Sequence, residues 1–90
     1  MNIITRINEV FGGDVNDKKP THINSLCRIA YVGYLREVLG LRYKNISDVT
    51  GYTVGTIRKR LERHRGHYKF DKIYKQKFNS ITQENESNSN

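Results

Sequence analysis

Across residues 21–41 the apolar side chains of Ile23, Leu26, Cys27, Ala30, Tyr34, Leu35, Val38 and Leu41 recur at helical spacing. A stripe this broad has to be covered by other elements of the chain rather than by water. The chain is therefore expected to fold around one central helix, capped by Thr21 or Asn24 and running to about Gly40. Gly33 interrupts that helix at a cost of roughly 1 kcal/mol relative to alanine. Two readings of it stand side by side: close approach by a neighbouring helix, or simple tolerance of a weak helix former. Cys27 is the only cysteine and lies among apolar residues. It reads as a buried thiol, and neither an internal disulfide nor a Cys-based zinc site is expected.

The flanking segments supply the cover. Ile3, Ile4, Ile7, Val10 and Phe11 form a short apolar-faced helix that Gly12 and Gly13 stop. Residues 12–20 (GGDVNDKKP) are polar and turn-forming, so they read as a loop. A short helix is expected near Tyr43–Thr50, with Gly51 after it, and a longer one from Thr53 to a C-cap at Gly66. The last helix is expected over residues 68–82, with Phe70, Ile73, Tyr74, Phe78 and Ile81 inward and lysines outward. Residues 83–90 (QENESNSN) hold no apolar side chain and read as a disordered polar tail. The expected fold is all-α, a small bundle of about five helices in one domain over residues 1–82, with no space for a second catalytic module.

The charge narrows the function. The 90 residues carry a formal net charge of +7, which points to a polyanionic partner. Residues 58–77 contain nine basic side chains against only Glu62 and Asp71, so this stretch equals the net charge of the whole chain. No apolar run is long enough to span a bilayer, and Arg6, Asn8 and Glu9 break up the N-terminal apolar residues as no secretory signal would allow. A soluble, cytoplasmic protein is expected, without a membrane partner.

The basic stretch begins inside a second pattern. Residues 46–61 read ISDVTGYTVGTIRKRL, which fits a helix-turn-helix. Ile46 and Val49 would form the inner face of its first helix, and Ser47 would take the small-residue position where the helices cross. Gly51 falls at the turn, where backbone with positive φ is needed and a β-carbon is costly. Tyr52 fills the apolar position after it, Thr53 can cap the second helix, and Ile57 and Leu61 anchor that helix to the core. Burying those two leaves Thr53, Val54, Gly55, Arg58, Lys59 and Glu62 outward, free to enter a DNA major groove. Arg58 and Lys59 can donate to guanine, Val54 can meet a thymine methyl, and Glu62 can accept from cytosine. The plainer reading is a solvated face with Arg58 and Glu62 paired across one turn. Phosphate contacts would come from Lys44, Arg63, Arg65 and Lys69 at the flanks.

The order of elements resembles the C-terminal DNA-binding domain of the bacterial chromosomal replication initiators (the DnaA family), whose fold is related to the Trp repressor. The resemblance runs over residues 3–81: a short helix ending VFGG, a loop with KK, a core helix with CRIA followed by Arg36-Glu37, then ISDVTG and TI. It implies that Lys18 or Lys19 reaches the minor groove, that Arg28 also contacts DNA, and that Thr56 belongs to the reading head. The rest of that head differs: Thr53-Val54-Gly55-Thr56 stands where the family has Asp-His-Thr-Thr. A target other than the standard initiator box is expected. The initiators' ATPase module is absent from these residues, so a self-sufficient initiator is not expected.

Other chemistry finds less support. His64 and His67, three apart, lack a third ligand for a metal. No phosphate-cradling glycine loop and no nucleophile–base or paired-carboxylate spacing is present, so an enzyme, a cofactor and a small-molecule substrate are not expected. The rival is a protein-interaction module on the same scaffold, docking or dimerising through the first helix or through Tyr74 and Phe78. RNA binding by the lysine-rich helix is a third class, without a stacking platform to favour it. The expected function is sequence-specific double-stranded DNA binding by a small transcription or replication regulator of a bacterium, phage or mobile element.

Overall fold

The computed structural model describes the backbone of residues 2–88 and the side chains of residues 2–82. Helices dominate it, and no strand occurs among the described residues. The first, α1 (Ile3–Phe11), starts where the Asn2 side chain accepts from the Ile4 N–H at 2.8 Å and stops at Gly12. Ile7 and Phe11 are its buried residues.

The loop after α1 is fastened rather than slack. Asn24 is buried, accepts from the Asp14 N–H at 2.9 Å and donates through Nδ2 to the Lys19 carbonyl at 3.2 Å. Asn8 accepts from the Val15 N–H at 2.9 Å, and the Val15 side chain inserts into the core. A polar segment can lie against the core only if its backbone groups find partners, and these two asparagines supply them. Asn24 thus ties down the loop, while Thr21 caps α2 (His22–Gly33) by accepting from the Asn24 N–H at 3.1 Å.

Helix α2 is the central element. It packs against α1 and against a later helix, α4 (Val54–Phe70), and Cys27, Ile29, Ala30, Tyr31 and Val32 are all buried. The chain then winds wider into a π-helical turn, Tyr34–Val38, in which the Leu39 N–H donates to the Tyr34 carbonyl. That change of period turns the end of the apolar row away from the core. Tyr34 and Leu35 remain buried, whereas Val38 is 42 % exposed. Ile23, before the covered part of α2, is also exposed, so the stripe read at a strict 3.6 period is too long at both ends.

Three helices complete the bundle: α3 (Tyr43–Thr50), α4 (Val54–Phe70) and α5 (Lys72–Asn88). The position of α3 matches the expectation, but Val49 is 60 % exposed and Ile46 is the one buried residue of this helix. A helix of eight residues touching α4 and the π-helical turn has one narrow contact line, on which Ile46 is fully buried and Tyr43 partly so. The boundary between the last two helices also shifts. Gly66 lies inside α4, which continues to Phe70 and stops at Asp71. Asp71 caps α5, accepting from the N–H groups of Ile73 at 3.0 Å and Tyr74 at 3.1 Å. Phe70 and Ile73 sit on this corner, 81 % and 66 % exposed, whereas Tyr74, Phe78 and Ile81 are buried as expected. The backbone of α5 stays helical to Asn88, where composition points to a disordered tail. The last two positions of that tail lie outside the described residues. The all-α bundle is as expected.

An aromatic group locks α5 to the rest. Tyr74 packs on Phe11 with ring centroids 5.4 Å apart, and Phe78 packs on His64 at 4.5 Å. Edge and tilted contacts of this kind add to the area they bury.

Candidate nucleic-acid interface

The turn between α3 and α4 is held by local hydrogen bonds. Gly51 has φ 77° and its N–H donates to the Ser47 carbonyl at 2.8 Å. The Ser47 hydroxyl donates to the Tyr52 carbonyl at 2.7 Å, and Thr50 Oγ1 accepts from the Tyr52 N–H at 3.1 Å. A residue other than glycine at this φ pays a steric penalty of about 1–2 kcal/mol. Thr53 then caps α4, accepting from the Thr56 N–H at 3.2 Å, while its own hydroxyl donates to that of Thr56 at 3.0 Å. Helix, short turn and capped helix follow in the order expected.

Ile57, Leu61 and His64 are the buried residues of α4. At three- and four-residue spacing they fix the inner side of the helix. Thr53, Val54, Gly55, Arg58, Lys59 and Glu62 are exposed, and Thr56 is half-buried. No atom approaches within 4 Å of where a β-carbon at Gly55 would lie, so the backbone there is open to contact. Arg58 and Glu62 form no ion pair among the described residues. Arg58 leans instead over the Tyr43 ring at 5.8 Å, and Arg36 over the same ring at 5.1 Å.

The flanking basic residues separate into groups. Lys44 is exposed near the N-terminal end of α3. Arg63 and Arg65 lie about 160° apart around α4, since two residues turn a helix by about 200°. Arg63 is exposed, whereas Arg65 donates from Nε to Glu37 Oε1 at 2.8 Å, which ties α4 to the π-helical turn. Lys69 lies about 22 Å along the helix from Val54 at 1.5 Å per residue, far from the capped end. Arg28 is engaged with the loop, donating from Nε to the Val15 carbonyl at 3.2 Å and from Nη2 to the Asp17 carbonyl. Lys18 and Lys19 are exposed on that loop next to it.

Sequence reading left out Arg60. It sits on the Arg63 flank, with Cζ 4.3 Å from the centroid of the Tyr52 ring. Burial lowers its proton affinity, nearby Arg28 and Arg63 push the same way, and Tyr52 opposes them. A guanidinium remains charged under such pressure. The signal was available in the spacing, because Arg60 follows Thr56 by four residues and precedes Arg63 by three.

Of the two histidines on α4, His64 lies in the core. His64 is 3 % exposed, and its Nδ1 lies 2.7 Å from the Tyr74 hydroxyl, with Gly33 behind the ring. Burial pulls its pKa down to about 4 and pushes that of Tyr74 upward, so two neutral groups share the hydrogen bond. No group of three or more His, Cys, Asp or Glu gathers at ligand spacing among the described residues. Burial also pushes the Cys27 thiol up, away from thiolate chemistry. A hollow bounded by Glu37, His64, Arg65, Tyr68 and Phe78 contains none of the outward residues at the start of α4.

No family model matches the chain, and neither a curated protein nor a solved structure matches it. Among the described residues no helix is long and apolar enough to cross a membrane.

Proposed function

We propose that the protein binds double-stranded DNA and reads its sequence with the N-terminal half of α4. The observation that carries this reading is one helix with opposite faces of opposite character. Ile57 and Leu61 are fully buried, while Val54, Gly55, Arg58 and Lys59 stand in solvent at its capped end. Such a helix, set at a corner by a preceding short one, fits the major groove. Arg58 and Lys59 are placed to donate to guanine O6 and N7, Val54 to meet a thymine methyl, and Glu62 to accept from cytosine N4. Lys44 and Arg63 would hold backbone phosphates, while Lys18 or Lys19 would reach the minor groove and Arg28 would also contact the DNA, as the likeness to replication initiators implies. A small regulator of transcription or replication, acting in the cytoplasm, is the role this supports.

Selection of bound sequences from random duplexes at two salt concentrations tests it, with Arg58→Ala/Lys59→Ala alongside. The expected result is a steep loss of affinity with salt, a recovered motif, and loss of that motif in the double variant. Binding that ignores both substitutions, or no binding at low salt, would sink the reading.

A second reading has its own observation. Phe70 and Ile73 form an exposed apolar corner between α4 and α5, a surface suited to a partner protein or a second copy. Phe70→Ser/Ile73→Ser would then abolish association in a sedimentation or pull-down measurement while leaving DNA affinity unchanged.

A further inference from the structure

Arg60 lies outside the face assigned to the bases, and its surroundings describe an anion that is not part of the chain. Its guanidinium is stacked against Tyr52, which restricts the plane of the fork. Nη1 is removed from water and makes no hydrogen bond among the described residues. The charged groups that bear on it, Arg28 and Arg63, carry its own sign. Beside it opens a shallow hollow of about 180 Å³ lined by Thr56, Lys59, Arg60 and Arg63. One hydroxyl and three cations, with no carboxylate among them, surround this space. Tyr52 offers the guanidinium a side-chain hydrogen bond, which leaves Nη1 as the unpaired donor. A cation that is partly desolvated, crowded by like charge and left with one donor unpaired gains more from an anion than a solvated lysine does.

We propose that this hollow seats a single phosphate of the DNA backbone, with Arg60 as its principal donor and Thr56, Lys59 and Arg63 around it. The proposal rests on the DNA-binding reading and deepens it. Lys59 belongs both to the hollow and to the outward face, so the phosphate held here neighbours the bases that face meets. A contact to phosphate sets the register of the helix in the groove and carries no sequence preference of its own.

The test compares the wild-type protein with Arg60→Gln and Arg60→Lys on the selected duplex and on an unrelated one, at two salt concentrations. Both duplexes are also made with single neutral methylphosphonate linkages stepped along each strand. Arg60→Gln is expected to weaken binding about tenfold or more on both duplexes alike and to leave the selected motif unchanged. It should lower the slope of log K against log salt by about 0.9. One linkage should weaken the wild-type protein when neutralised and have no further effect on Arg60→Gln. Arg60→Lys should keep the slope and lose part of the affinity, because the fork is gone and the charge is not.

Wild-type affinity and slope in Arg60→Gln, with the motif still destroyed by Arg58→Ala/Lys59→Ala, would overturn the phosphate site and leave DNA reading intact. Absence of binding to any duplex by the wild-type protein would overturn both. Should Arg60→Gln not fold, the linkage scan of wild type against Arg60→Lys decides: no position at which they differ overturns the proposal.

Discussion

The imidazole of His64 fills the space that a side chain at Gly33 would need: a β-carbon there would lie 2.5 Å from Nδ1. Here α4 packs tightly against α2, and that gives Gly33 a packing role. Two effects oppose each other in Gly33→Ala. Alanine gains up to about 1 kcal/mol in helix propensity, while forcing a methyl into a filled core costs about 1–3 kcal/mol. The neighbour is a buried ring held by Tyr74, so it has little freedom to yield. We expect a net loss of about 1–2 kcal/mol, seen as a melting temperature lower by several degrees. An increase in melting temperature would show that the ring moves aside.

His64 also makes the fold sensitive to acid. Its pKa is about 4 when folded against 6.5 when free, because burial disfavours the charged ring. Between those values the unfolded chain holds the extra proton, so stability rises with pH and is lost as pH falls from about 6.5 towards 4. The loss attributable to this group is about 2–3 kcal/mol. Denaturant unfolding of the wild-type protein and His64→Leu at pH 7 and pH 4 measures it. The difference between the two pH values should shrink in the variant; equal differences would place the acid sensitivity elsewhere.

Asn24 controls the basic loop. Replacing it by alanine strips partners from the Asp14 N–H and the Lys19 carbonyl. Leaving such groups unpaired costs about 1–3 kcal/mol. Hydrogen exchange at the Asp14 amide should accelerate in Asn24→Ala, with α4 amides changed only by the global loss of stability. Unchanged protection at Asp14 would mean that the Asn8 and Arg28 contacts suffice to hold the loop.

Ile46 and Val49 should separate sharply. Ile46 is fully buried and Val49 is 60 % exposed. Ile46→Ala is expected to cost about 2–5 kcal/mol through lost burial and the cavity left behind. Val49→Ser should stay within about 0.5 kcal/mol of wild type. Thermal melts of both settle whether α3 rests on one side chain or two.

Much of this arrangement is legible in the order of residues. The caps Thr21 and Thr53 and the stop at Gly12 act on backbone groups a few positions away, so their roles follow from local chemistry. The face of α4 opposite Ile57 and Leu61 follows as directly, because periodicity decides which side chains share a face. Gly66 shows the limit of the same method. Glycine is a common helix end, but here Asp71 offers a better stop and the buried side of α4 continues through half-buried His67 and Tyr68. The exposed ends of the α2 stripe, Ile23 and Val38, mark a second limit, since periodicity cannot say how far along a helix its neighbours reach.

By itself the sequence determined an all-helical chain, the placement of its short-range caps and turns, and a basic face on α4. Each of these depends on spacing along the chain and on backbone geometry. Only the tertiary structure decided what the individual basic residues do. Arg65 turns to Glu37, twenty-eight positions away, Arg28 fastens the loop, and Arg60 stacks on Tyr52 with a donor unspent. Charge and period are the same for a solvated arginine, a paired one and one with an unpaired donor. The partners come from other elements, and their distances are set by how the helices pack.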